Sequence, residues 1–269
     1  MTGFGAVRRG FAPVLLTVAA GCGPTNAAPS QYPLAPADLL AQALTTSAAA
    51  TSFHVDVTGE SVVRPVTVNP GRLMQGAIHL VGFVDVAKGV GDFILTIASS
   101  PGRAWHPRSV RQADSPLVLL ESTTKPDQWQ SNPGVVFGDG LGAFTGPGPN
   151  DPSTDFAQIA AAVARFGDAS LTRLSDQPCA AGQCAILHWD ASASVQRDFC
   201  KAAPASPCPG SFLVDFAVDK DQRIAAISSQ FSRTGAAGSG TFAFSNWGQP
   251  LSIAIPPPAN ISAGDGNLH

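Results

Sequence analysis

The sequence predicts an α+β fold in which two helices lie against a run of antiparallel strands. Three observations carry this. Apolar residues recur at helical spacing in only two segments, while the rest alternates or runs apolar in short stretches bounded by turn residues. Glycine (27) and proline (23) punctuate the 269 residues densely without reaching low complexity. Charged residues are 13% against 44% hydrophobic. That excludes a disordered polyelectrolyte and leaves material for one sizeable core.

The N-terminus reads first as an export signal. Arg8 and Arg9 precede an apolar run from Phe11 to Ala20, about ten residues where a membrane-spanning helix needs about 20. Val18-Ala19-Ala20-Gly21-Cys22 resembles a bacterial lipobox, in which small residues precede a cysteine that is acylated and becomes the new N-terminus. Residues 1–21 are therefore expected to be removed and Cys22 lipidated. Two or more acyl chains anchor stably where one is marginal. The competing reading is an ordinary secretory signal that happens to contain a cysteine. Arg8-Arg9-Gly10-Phe11 also resembles a twin-arginine motif, but no Ser or Thr precedes the pair, so the plain secretory route is favoured. Losing Arg8 and Arg9 takes 16 basic residues to 14 against 19 acidic, a net charge of -5. That balance argues against nucleic-acid binding. Residues 22–35, rich in Pro, Ala, Asn and Ser, are expected to be a tether.

The first helix is expected from about Pro36 to Ser47. Pro36 suits the first turn, Asp38 the positive end of the helix dipole, and Leu39, Leu40, Ala43 and Leu44 line one face. Phe53, Val55 and Val57 then alternate with Ser52, His54, Asp56 and Thr58, a strand with one wet face. In the strands expected at Ala77–Val86 and Asp92–Ala98, both faces carry Ile, Leu, Val or Phe, so both faces should be covered. Further strands are expected near Ala104–Trp105 and Leu117–Glu121, with a long Pro/Gly-rich loop over Asn132–Asn150. The second helix is expected from Pro152 to Phe166, capped by Asp151 and stopped by Gly167. Phe156, Ile159, Val163 and Phe166 fall on one of its faces. Strands near Ser170–Leu174 and Cys184–Trp189 follow. Ser211–Val218 and Arg223–Ser232 form a hairpin turning at Asp219–Gln222, then come Thr241–Trp247 and Leu251–Ile255. A single domain over residues 36–258 and a frayed tail over 259–269 complete the chain.

Apart from Cys22, four cysteines fall within 30 residues: Cys179, Cys184, Cys200 and Cys208. In an exported protein an even cluster suggests two disulfides. Three pairings are possible, and Cys179–Cys184 with Cys200–Cys208 is favoured because each closes a short local loop. The spacings suit structural zinc poorly, with His188 the sole nearby histidine.

The order of segments resembles the extracytoplasmic lipoproteins of the LppX/LprG type, themselves similar to LolA-like lipoprotein carriers. The matching features are Cys22, a helix leading into Thr51–Gly59, Trp129 before the glycine-rich loop, and the helix Phe156–Phe166 followed by a strand. The Val218–Asp221 hairpin and the closing Phe244-Ser245-Asn246-Trp247-Gly248-Gln249-Pro250 complete the set. The four cysteines depart from that pattern. The resemblance implies a strongly curved antiparallel sheet, an unclosed half-barrel, with helices across its concave side and room for acyl chains between them. Phe156, Ile159, Val163 and Phe166 from the helix, with Ile78, Leu80, Val84 and Ile94 from the long strands, are the candidate walls. The same residues would serve equally as a packed core. The expected function is a membrane-anchored carrier of lipid or glycolipid, with an envelope transporter or acceptor protein as partner. The alternative is a non-enzymatic envelope interaction or sensor module without lipid.

Catalysis has little support. The chain has no H-E-x-x-H, G-x-S-x-G, P-loop or dinucleotide fingerprint. Ser122-Thr123-Thr124-Lys125 matches S-x-x-K but lacks its companion motifs and follows a strand, where the enzymes place a helix start. His54, His79, His106, His188 and His269 are scattered. No cofactor and no metal are expected.

Overall fold

The computed structural model describes residues 32–63, 74–99, 103–105, 108–112, 118–122, 125, 127–132, 156, 160, 171–192, 209–233 and 236–263. Helix α1 spans Pro36–Ala48 and fourteen strands follow among the described residues. These are β1 (Ser52–Val63), β2 (Met74–Asp85), β3 (Val90–Ser99), β4 (Arg103–Trp105), β5 (Arg108–Gln112), β6 (Val118–Glu121) and β7 (Trp129–Asn132). The second group is β8 (Leu171–Arg173), β9 (Gln177–Cys179), β10 (Gly182–Asp190), β11 (Pro209–Val218), β12 (Ile224–Arg233), β13 (Ala236–Ser245) and β14 (Ile261–Ala263).

One open sheet joins them in the order β14-β7-β6-β5-β3-β2-β1-β13-β12-β11-β10-β8, with β4 on β3 and β9 on β10. Every pairing is antiparallel except β14 on β7. The β1–β13 ladder unites the two halves, running from His54 opposite Ser245 to Val63 opposite Ala236. The β11–β12 hairpin turns at residues 219–222, as the polar interruption predicts. Asp219 Oδ1 accepts from the main-chain N–H groups of Asp221 and Arg223, both at 2.9 Å, and Gln222 takes a positive φ of 56°.

Alternation sorts the sheet into two faces, of which the inner one lies under α1. Leu39, Leu40, Ala43 and Leu44 of α1 are buried with Leu187, Trp189, Phe216, Ile224 and Ile227. Buried Ser47 extends the same helix stripe, and its Oγ accepts from the main-chain N–H of Ile224 at 2.9 Å. At one end of this face Phe53, Phe156, Phe244 and Trp247 form an aromatic cluster with ring centroids 5.1 to 5.9 Å apart. Phe156 and Ala160 are helical, and the remainder of the expected second helix lies outside the described residues.

Four expectations are corrected. The β2 and β3 strands are not covered on both faces, because Phe83 and Ile94 are 41% and 56% exposed. Residues 251–255 do not form a strand. Proline at 250 and 256–258 removes ladder donors there, and the segment instead crosses a small second core, with Ile253 against Val90, Val110, Leu119 and Trp129. The tail is not frayed from residue 259, since Pro258–Asn260 forms a 3-10 turn and β14 pairs with β7. Ordered structure also begins before residue 36. Tyr32 is buried, its hydroxyl donates to the Gln183 carbonyl at 2.9 Å, and its own carbonyl accepts from Arg173 Nη1 at 2.6 Å.

Candidate functional site

The inner face is large and apolar under α1 and at the aromatic end, but its middle is built from small residues. Strand register places Gly59 opposite Gly240 and Gly240 opposite Ser229, a row about 10 Å long across three strands. A methyl added at Gly59 would meet only main-chain atoms, the nearest being the Ser239 carbonyl oxygen at 3.5 Å. At Gly240 it would meet the Thr58 carbonyl oxygen at 3.5 Å and Ser229 Oγ at 4.0 Å. Among the described residues, no side chain fills the space over the two glycines.

Large side chains border this row. Val57 pairs with Leu80 on one side and with Phe242 on the other. Beyond the row, the ring of Phe231 lies over Gly238, where an added methyl would stand 2.5 Å from a ring carbon. Val57, Leu80 and Phe231 are only partly buried, although each packs against the main core. Among the described residues the result is an apolar trough with a floor of glycine. The other inner-face glycines differ. The ring of Phe93 occupies the positions that methyls on Gly82 and Gly91 would take, so those two glycines accommodate a core side chain.

The candidate walls divide accordingly. Leu80 borders the trough. Val84 and Phe156 are each 2% exposed and belong to the packed core. Ile78 stands opposite Gly59 in the β1–β2 register. Ile94 is a correction: it pairs with Val81, one residue out of phase with Phe93, and lies on the opposite, outer face. Ile159, Val163 and Phe166 lie outside the described residues, as do Cys22, Cys200 and Cys208. Cys179 and Cys184 are joined by a disulfide with Cα atoms 5.8 Å apart.

Sequence reading missed Gly59, Gly240 and Ser229. Their signal was present: an isolated glycine inside an alternating strand marks a close approach or an unfilled position.

Part of the outer face carries paired polar groups. His188 Nδ1 lies 2.7 Å from Asp215, and His79 Nε2 lies 3.1 Å from Asp56. Asp215 stands between His188 and Ser228, so the histidine is not placed to activate the serine. Ser228 Oγ instead bonds Thr241 Oγ1 at 3.0 Å. At the S-x-x-K match the Lys125 main-chain N–H donates to Ser122 Oγ at 3.1 Å. Among the described residues no group of three His, Cys, Asp or Glu stands where it could hold a metal, and no helix is long and apolar enough to cross a membrane.

A mostly antiparallel, unclosed sheet with one apolar face under a helix is the class these features define. Among solved structures the chain is similar to LprF from Mycobacterium bovis, a protein of the LppX/LprG type, at 12% identity and a TM-score of 0.47, covering 82% of this chain and 96% of that one. It is also similar to a beta-barrel-like protein of domain of unknown function DUF1849 from Brucella abortus, at 8% identity and a TM-score of 0.27, covering 73% of this chain and 99% of that one. A DUF1329 family protein from Desulfovibrio piger is matched at 8% identity and a TM-score of 0.24, covering 81% and 93%. No family model and no curated protein matches the chain. Likenesses of this size assign no role to any residue here.

Proposed function

We propose that the chain is an extracytoplasmic lipoprotein, anchored through Cys22, that binds and carries lipid or glycolipid on the inner face of a half-barrel sheet. The observation that carries this is the glycine-floored trough. Gly59 and Gly240 face each other in mid-sheet, and the apolar residues around them, Val57, Leu80 and Phe231, are left partly uncovered. An alkyl chain over Gly59 and Gly240 would meet apolar side chains and main-chain groups already paired in the ladder. Each buried methylene contributes about 0.8 kcal/mol, so ten would contribute about 8 kcal/mol before the cost of ordering the chain. The reading assigns the protein no catalytic step, and its partner is an envelope transporter or acceptor protein that loads or unloads the trough.

The test is lipid extraction and native mass spectrometry of the protein purified from its own host, beside a Gly240→Leu variant. The expected result is bound lipid in the natural protein and its loss from the variant at unchanged far-UV circular dichroism. Absence of lipid from the natural protein would overturn the reading.

A second reading is favoured by the outer face. Phe83 and Ile94, 41% and 56% exposed, stand diagonally across the β2–β3 ladder, and Phe83 packs on His54 at 4.8 Å. An interaction or sensor module would use this patch. Phe83→Ser would then abolish partner capture and leave lipid content unchanged.

A further inference from the structure

The root of the tether is fixed to the domain at Tyr32, which is 4% exposed. Its hydroxyl donates to the Gln183 carbonyl, its carbonyl accepts from Arg173 Nη1, and the Arg173 guanidinium lies over its ring at 5.3 Å. Asp176 holds the same guanidinium at 2.8 Å. Tyr32 comes ten positions after Cys22. A chain spans at most about 3.3–3.6 Å per residue, so an acylated Cys22 keeps this corner of the domain within about 33–36 Å of its bilayer.

The β9–β10 hairpin stands at that corner. No charged residue occurs from Gln177 to Leu187, and Pro178, Ala180, Ala181 and Gly182 around the turn are exposed. Leu174, whose main-chain N–H donates to the Ile186 carbonyl, is 42% exposed beside it. A methyl added at Gly182 would meet nothing within 4 Å, so the turn projects into open space. Among the described residues β9 pairs with β10 alone, and such a small ribbon is marginal by itself. The Cys179–Cys184 disulfide staples it.

The neighbouring turn shows the contrast. Val218 stands opposite both Ala185 and Ile224, so the β11–β12 turn lies at the same end of the sheet. It carries Asp219, Lys220, Asp221 and Arg223, the polar composition expected of a turn facing water. A single exposed leucine is ordinary on a soluble protein. A stapled, charge-free tip with that leucine, placed at the root of a short membrane tether, is a particular combination.

We propose that the tip of the β9–β10 hairpin, with Leu174, rests in the interface of the bilayer that holds Cys22. This rests on the anchoring reading. So small an apolar contact would not hold a free protein at a membrane, but the anchor makes it intramolecular, and a weak contact then suffices. The contact sets the β8–β10 corner toward the membrane and leaves the charged β11–β12 turn in water.

The test uses the full-length lipidated protein reconstituted in phosphatidylcholine liposomes whose acyl chains carry bromine, a quencher of tryptophan. Ala181→Trp and Lys220→Trp each add one ring to the four natural tryptophans, on the two neighbouring turns, and the signal of the natural protein is subtracted. Ala181→Trp should be quenched at least about two-fold more than Lys220→Trp, because an interfacial group sits about 5–10 Å into the headgroup and acyl boundary. Adding Leu174→Asp should remove that excess, with the melting temperature and sedimentation with liposomes unchanged. Equal quenching of the two rings, or an excess that survives Leu174→Asp, overturns the hairpin contact and leaves the anchor standing. An N-terminal peptide without acyl chains on Cys22, in protein purified from its own host, overturns both.

Discussion

Two glycines on the same face of the same sheet should respond oppositely to one added methyl. A methyl at Gly82 would overlap the ring of Phe93 and stand 2.6 Å from the Asp92 carbonyl oxygen. That carbonyl lies on the neighbouring strand of the β2–β3 ladder and has little freedom to yield, so Gly82→Ala should cost about 1–3 kcal/mol as overpacking. A methyl at Gly240 meets its nearest atoms at 3.5 and 4.0 Å, ordinary contact. There the lower entropy of the unfolded chain should dominate and stabilise by about 0.4–1 kcal/mol. The two variants should therefore differ by about 1.4–4 kcal/mol. At roughly 2–4 °C per kcal/mol for a domain of this size, Gly82→Ala should lower the melting temperature by about 2–12 °C. Gly240→Ala should leave it unchanged or raise it by up to about 4 °C. Urea and thermal unfolding of the purified protein provide the measurement. If Gly240→Ala destabilises as much as Gly82→Ala, a side chain already occupies the space over Gly240 and the trough does not exist.

Other consequences are local. Ser47→Ala leaves the buried N–H of Ile224 without its 2.9 Å partner and should cost about 1–3 kcal/mol in urea unfolding; a change within error would mean that another group replaces the bond. Replacing both Cys179 and Cys184 by Ala removes a cross-link between residues five apart and should cost about 2 kcal/mol on the loop-entropy account, so unchanged stability would contradict that account here. Asp85 accepts from the Lys88 ammonium at 2.9 Å and from the Lys88 main-chain N–H at 3.1 Å. The side-chain bond, foremost, holds its carboxyl below the usual value. Its folded-state pKa is depressed, so its contribution is present above about pH 4 and lost as pH falls through the folded value. The gap between the natural protein and Asp85→Asn should be about 0.2–1 kcal/mol at neutral pH, because Lys88 is exposed, and should close toward pH 2. A gap independent of pH would remove the ion pair as its cause.

Much of the fold was legible because local patterns had little competition. Phe53, Val55 and Val57 alternate cleanly, and the structure puts Phe53 and Val55 in the core and Val57 at its edge. The Pro36–Ala48 helix has a proline start, an acidic first turn and one apolar stripe, and each does what its position implies. What alternation could not reveal was which apolar residues of a two-sided strand face inward. Leu80 and Ile94 look alike in sequence; only pairing with β1 and β5 separates the inner Leu80 from the outer Ile94. The C-terminal segment misled for a related reason. Leu251, Ile253 and Ile255 alternate like a strand, but proline denies the stretch a ladder; of the three, Ile253 packs against Val110 and Trp129, and Ile255 is exposed. The site was least legible because it is made by absence of side chains, and an apolar search overlooks glycine.

The division of labour along the inner face explains how one sheet can be both stable and open. Under α1 the largest fully buried side chains, Trp189, Phe216, Leu187, Ile224 and Ile227, meet Leu39, Leu40 and Leu44 of the helix. The helix lies against β8, β11 and β12, and Leu187 and Trp189 of β10 join the same core. The trough lies at β1 and β13, whose mutual ladder is continuous over ten residue pairs and whose main-chain hydrogen bonds need no side chain at Gly59 or Gly240. Removing side chains from that ladder forfeits packing but leaves the backbone pairing intact, so the uncovered surface sits where the sheet is held by its own hydrogen bonds. A lipid chain laid there would replace the missing contacts without competing with α1. Occupancy would then raise stability with the logarithm of ligand concentration over Kd, because the unfolded chain offers no such surface.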